Sequence, residues 1–104
     1  MEIYGLNNRD IHTLFDVFNK HKDIKTVYIY GSRAKGTHKY GSDIDLAIMN
    51  DDVSEKTIRN IKTEIEESSL PYFVDITYFK TILHKELSEH IKRVGLPFYS
   101  IEGR

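Results

Sequence analysis

Between Asp43 and Met49 the chain alternates strictly, with Ile44, Leu46 and Ile48 at one parity and Asp43, Asp45 and Ala47 at the other. A period of two marks a strand that puts one face into a core and leaves the other outside it. Side chains at i and i+2 share a face about 6.6–6.8 Å apart along the backbone, so Asp43 and Asp45 point the same way. Aspartate is a poor strand residue, yet a third, Asp75, lies inside Tyr72–Tyr78, another segment that reads as a strand. Any fold for this chain must bury the isoleucines and the leucine while keeping three acids out of the core.

The flanking segments supply partners for that sheet. From Asn8 to Lys22, Ile11, Leu14, Phe15 and Phe18 fall at i, i+3, i+4 and i+7, one face of an amphipathic helix. Lys25–Tyr30 is β-branched and aromatic and stops at Gly31, so it is read as the first strand. Gly31–Gly41 holds three glycines and reads as a loop, with a helical turn at Ser32–Lys35. Ser54 is placed to cap a helix running to about Glu67 with Ile58, Ile61 and Ile65 inward, and Asp51, Asp52 and Glu55 favour its positive end. Pro71 breaks the chain before the third strand. Thr81–Val94 is read as a last helix, with Leu83, Leu87, Ile91 and Val94 on its apolar face and Gly95 as its stop. The expected fold class is α/β (α+β): one domain over residues 1–100, a small mixed β-sheet backed by helices. Ile101-Glu102-Gly103-Arg104 match a recognition sequence of a protease used to remove tags and receive no functional weight.

Composition narrows the function. The chain has no cysteine, which excludes disulfides, thiolate metal sites and a thiol nucleophile. It has no run of about 18 apolar residues, so a membrane role is not expected and the cytoplasm is the default location. A net charge of -1 argues against direct nucleic-acid binding by phosphate neutralisation. The charge is nevertheless segregated. Residues 1–40 carry seven Lys and Arg against four Asp and Glu, and residues 41–80 carry four against nine. Basic Arg33, Lys35 and Lys39 thus lie next to acidic Asp43 and Asp45, an adjacency suited to a polyphosphate held through a cation.

Three convergent carboxylates repel one another unless a cation neutralises them, and oxygen-only ligands favour Mg²⁺ or Mn²⁺. Standing alone, Asp-x-Asp also suits two solvated acids on an exposed sheet face. Gly31 adds a second element: it follows a strand directly and precedes a turn, where bare backbone and free N–H groups can approach phosphate oxygens. The Ser32 hydroxyl and the Arg33 charge are further candidates for nucleotide binding. Gly31 and Gly36 have the spacing of a Walker loop, but Thr37 stands where its lysine must be. The five histidines show no metal-ligand spacing and are read as surface or helix residues, with a minor contact open to His38 in the loop.

Gly31-Ser32, ten residues, then Asp43-Ile44-Asp45 closely resembles the Gly-Ser-x10-Asp-x-Asp signature of nucleotidyltransferases related to DNA polymerase β. The text around it, Gly31-Ser32-Arg33-Ala34-Lys35-Gly36-Thr37 and Gly41-Ser42-Asp43-Ile44-Asp45-Leu46-Ala47-Ile48, is similar to that of the minimal nucleotidyltransferases of bacteria and archaea. The resemblance spans Val27 to Tyr78. It implies the nucleotidyltransferase fold, with Asp43, Asp45 and Asp75 as catalytic residues and ligands of Mg²⁺ or Mn²⁺, and with Gly31, Ser32 and Arg33 as nucleotide-binding residues. It implies ATP as the nucleoside triphosphate substrate and a hydroxyl of a protein as acceptor. Larger relatives hold the acceptor with a further helical domain that does not fit here. The expected partner is a HEPN-domain toxin, in a hetero-oligomer for which this chain is the antitoxin. Alternatives are a non-catalytic antitoxin that blocks its partner sterically and an antibiotic-modifying nucleotidyltransferase.

Overall fold

The computed structural model describes residues 3–103. Among them the first helix, α1 (Asn8–Asn19), begins at a reciprocal cap: the Asn7 side chain accepts from the Asp10 N–H, and the Asp10 carboxylate accepts from the Asn7 N–H. Strand β1 (Thr26–Tyr30) follows, then the single turn α2 (Ser32–Lys35), strand β2 (Ile44–Ile48), helix α3 (Glu55–Glu66) and strand β3 (Val74–Tyr78). A 3₁₀ turn at Phe79–Thr81 leads to helix α4 (Lys85–Val94), strand β4 (Leu96–Ser100) and a 3₁₀ turn at Ile101–Gly103. As expected, Ser54 caps α3, its hydroxyl accepting from the Thr57 N–H. No helix among the described residues is long and apolar enough to cross a membrane.

The strands form one sheet in the order β3-β2-β1-β4. Strand β1 runs antiparallel to β2 and β4, and β2 runs parallel to β3. Val27 and Ile29 of β1, Ile44, Leu46 and Ile48 of β2 and Ile76 of β3 form one apolar face. Leu14, Val17 and Phe18 of α1 and Ile61 and Ile65 of α3 complete that core. The opposite face is covered only in part. There Tyr30 and Ala47 pack with Ile91 of α4, joined by Leu87 and Val94, and Asp45 and Asp75 lie in register on this face.

The structure departs from the sequence reading in the last third. The helix expected from Thr81 starts only at Lys85. The Thr81 hydroxyl donates to the Tyr78 carbonyl and closes a 3₁₀ turn, and Ile82 and His84 are extended. Leu83 therefore precedes the helix and, contrary to expectation, is 99 % exposed rather than in the core. Gly95 does end α4, but the chain passes straight into β4, a strand the sequence reading did not assign. The Ile101 N–H donates to the Lys25 carbonyl, so the segment beyond Ser100 is tied to the sheet as well.

Strand β4 contributes Tyr99, which is only 2 % exposed, to the main core. Its ring meets Phe15 and Phe18 of α1 at 5.3 Å between centroids, and its hydroxyl donates to Asn19 Oδ1 at 2.7 Å. Tyr99→Ala is expected to cost about 3–5 kcal/mol, and Tyr99→Phe about 1 kcal/mol. Leu83→Ser should leave stability within about 0.5 kcal/mol of wild type. Urea unfolding of the three variants checks the assignment, and a neutral Tyr99→Ala would remove β4 from the cooperative fold.

Candidate active site

Strand register brings the acids together. Asp45 is paired with Tyr30 in β1 and with Asp75 in β3, so the three residues form a row across the sheet on the face opposite the main core. Asp43 lies two residues before Asp45, just ahead of β2, and its side chain is exposed like that of Asp75. Among the described residues no three acid, cysteine or imidazole side chains close into a ready metal cluster. The aspartates instead line one end of one face.

Gly31 is glycine for two reasons. Its φ of 76° and ψ of -154° lie in a region other residues scarcely enter, and a Cβ there would collide with Asp45 Oδ2. The Asp45 carboxylate therefore rests directly against the bare Cα of Gly31, which joins the two halves of the motif through space. Ser32 opens α2, and its carbonyl accepts from the Thr37 N–H at 2.9 Å.

The electrostatics follow from this crowding. Partial burial holds the Asp45 carboxyl above the usual carboxylate range, and the charges of Asp75 and Asp43 push it further, against the opposing influence of His90 and Arg33. The Tyr30 phenol is likewise raised, chiefly by burial and then by Asp75 and Asp45, although its hydrogen bond to Thr77 opposes the shift. The site thus holds acids that share one field, and the three aspartates offer oxygen donors. That donor set fits a hard divalent cation, which would relieve the repulsion at Asp45.

Arg33 does not take the expected position among free phosphate-gripping side chains. It is 3 % exposed, and its guanidinium donates to the carbonyls of Tyr4 (2.8 Å), Ser42 (2.7 Å from Nη2 and 3.2 Å from Nε) and Asp43 (3.3 Å). It also lies 4.9 Å from the centre of the Tyr72 ring. Arg33 therefore fastens the N-terminal turn, α2 and the loop that delivers Asp43, and acts on Asp45 only through its field. His38 turns its ring toward Gly5, on a cavity of about 430 Å³ shared with Arg33 and Tyr40 but with none of the three aspartates.

Two residues at the site were not singled out from sequence. Tyr30 is 6 % exposed, with its hydroxyl 3.2 Å from Thr77 Oγ1. His90 of α4 meets the Tyr30 ring edge-on at 6.2 Å between centroids and is near enough to act on Asp45. Strand parity places Tyr30 on the Asp45 side once β1 and β2 are paired, so a signal existed for it. None existed for His90, whose position depends on how α4 crosses the sheet.

Comparison with known proteins bears on this geometry. The family model described as "Polymerase beta, Nucleotidyltransferase" matches residues 12–103. The chain belongs to this nucleotidyltransferase family. It is 37 % identical over 70 residues to the probable protein adenylyltransferase MntA of Haemophilus influenzae, a match covering 66 % of this chain and 60 % of that relative. A chain of a toxin-antitoxin crystal structure with AMP-PNP superposes with a TM-score of 0.68 at 18 % identity, covering 89 % of this chain and 75 % of its own. A chain from the complex of a tri-AMPylated Shewanella oneidensis HEPN toxin with its MNT antitoxin gives 0.64 at 14 % identity, covering 91 % and 73 %. At such identities the solved structures establish the shared nucleotidyltransferase fold.

Two measurements follow from the site. Arg33→Ala leaves buried carbonyls unpaired and is expected to cost about 2–3 kcal/mol, with Arg33→Lys recovering only part because a lysine cannot reproduce the fork. A variant that kept its stability but bound ATP far more weakly would return Arg33 to the phosphate-binding set. For Asp45, the folded chain holds its proton more tightly than the unfolded chain, so this group disfavours folding as pH rises through its folded pKa. In chelator at pH 7, Asp45→Asn is expected to raise Tm, a gain that fades as the pH falls and Asp45 takes up its proton. A lower Tm for the variant at pH 7 would show the carboxylate to be stabilised where it sits.

Proposed function

We propose that this chain transfers AMP from ATP to a hydroxyl group of a HEPN-domain toxin and thereby serves as its antitoxin. The observation that carries the reading is the packing of the Asp45 carboxylate against Gly31, with Asp75 beside it in register. One compact surface thereby offers a phosphate-approachable backbone, a pair of acids at the start of β2 and a third from β3. The relatives lend support. The Haemophilus protein is named a probable protein adenylyltransferase, and the Shewanella complex joins an AMPylated HEPN toxin to an MNT antitoxin.

In this reading Gly31 and Ser32 approach the outer phosphates, the glycine through its bare backbone and the serine through its hydroxyl. Asp43 and Asp45, with Asp75, would hold Mg²⁺ or Mn²⁺, which supplies charge neutralisation on the triphosphate when bound. Asp75, exposed at the edge of the row, accepts the proton of the acceptor hydroxyl. That oxygen forms a bond to the α-phosphorus while the bond to the bridging oxygen of pyrophosphate breaks, and pyrophosphate leaves. Tyr30 and His90 form the wall on the α4 side. Arg33 fixes the loop that presents Asp43.

The test is the fate of labelled ATP incubated with Mg²⁺, a HEPN-domain toxin as acceptor, and a sub-stoichiometric amount of the chain itself. Wild type is expected to leave an adenylyl mass on the partner, which stays inhibited after this chain is removed. Asp43→Asn should lower transfer by roughly 10²-fold or more. Protection by the variant at equimolar ratio, with no added mass, would replace the enzyme with a binding antitoxin.

A further inference from the structure

The two edges of the sheet are built differently. Strand β4 at one edge carries Pro97 and an irregular register with β1, two devices that blunt an edge against further pairing. Strand β3 at the other edge has neither. Its five residues, Val74–Tyr78, are paired in unbroken register with β2, and among the described residues no strand pairs with its outer side. Three of the five, Val74, Ile76 and Thr77, are β-branched, which suits continued pairing. Beside this edge runs a groove of about 340 Å³ between α3 and β3, lined by Lys62, Ile65, Leu70, Phe73, Val74 and Asp75 among others. Phe73, at its rim, is 67 % exposed. The groove thus runs along the strand that carries Asp75.

We infer that the outer edge of β3 and this groove are the acceptor-binding site, and that the acceptor is a polypeptide segment laid along β3 as an added strand. The inference rests on the transferase reading above for its choice of acceptor, while the docking surface stands on the geometry of the edge. Adding a strand to an open edge recruits main-chain hydrogen bonds for affinity and leaves alternate side chains for specificity. Side chains of the added strand alternate between faces just as those of β3 do. The residue level with Asp75 points to the Asp75 side of the sheet, where its hydroxyl can reach that carboxylate. Its two neighbours point to the α3 side, over Ile65 and Leu70, and the exposed Phe73 lines the groove just ahead of β3. The acceptor is therefore a hydroxyl residue flanked immediately on both sides by apolar residues, in a segment able to become extended.

The experiment uses this chain and the HEPN-domain toxin that serves as acceptor in the labelling test. Phe73→Asp is expected to raise KM for that acceptor about tenfold, equivalent to about 1.4 kcal/mol, with the affinity for ATP measured separately and held within about twofold. Replacing the acceptor's two flanking apolar residues by Asp should have the same effect. Amide hydrogen exchange on the complex formed by the Asp43→Asn variant, which does not need turnover, should show new protection over residues 70–78. Protection there without any transfer of AMP by wild type would uphold the docking edge and sink the transferase reading. A complex protected elsewhere, no complex at all, or a Phe73→Asp variant with unchanged KM would overturn the inference.

Discussion

Burial of one parity of β2 is the constraint from which the rest of the molecule follows. Ile44, Leu46 and Ile48 are fully buried against α1 and α3. A strand has only two faces, so fixing these three residues inward fixes Asp45 outward, with the exposed Asp43 just ahead of the strand. A slip of one residue in the pairing would carry an unpaired carboxylate into a dry core, at a cost no domain of this size could absorb. The register that protects the core also sets Asp45 between Tyr30 and Asp75. Core and site are therefore two sides of one choice.

The site itself runs against stability. Asp45 is held partly away from water among other negative charges, and only His90 and the buried Arg33 oppose the resulting strain on its charge. Such arrangements persist where a ligand uses them, because proteins tolerate local destabilisation at functional positions when the surrounding fold supplies the difference. Arg33 shows where some of that support comes from. A guanidinium that looks, in sequence, like a phosphate clamp is spent on carbonyls from the N-terminal turn and from the loop before β2. Its planar fork can serve several oxygens at once, which an ammonium group could not do as well.

Helix α4 and strand β4 give the fold its second layer and its asymmetry. By crossing the acid-bearing face, α4 buries Tyr30 and Ala47 and sets His90 beside the site. By pairing with β1, β4 closes that edge and leaves β3, the strand carrying Asp75, as the one built for continued pairing. The open edge and one of the three clustered aspartates thus belong to the same strand.

Much of this was legible in the order of residues. The period-two pattern of β2, the Ser54 cap, the turn at Ser32–Lys35 and the i, i+2 spacing of Asp43 and Asp45 are local properties, and the sequence by itself determined them. The Gly-Ser and Asp-x-Asp halves were readable as a motif, since their spacing is a matter of counting. What only the tertiary structure decided are the long-range partners. Asp75 carries no motif of its own, and its place beside Asp45 depends on β3 pairing parallel to β2. Arg33 could turn outward to solvent or inward to the loop, and the choice was made by carbonyls of Tyr4, Ser42 and Asp43 that only folding assembles. Leu83 matched a helical stripe but fell outside the helix, because a 3₁₀ turn closed by Thr81 competed locally with α-helix. Strand β4, interrupted by Pro97, has little strand pattern of its own and exists because β1 offers it an edge. Local order follows from the near-neighbour energetics of backbone and side chain, whereas pairing and burial depend on groups distant in sequence that meet only after the chain has folded.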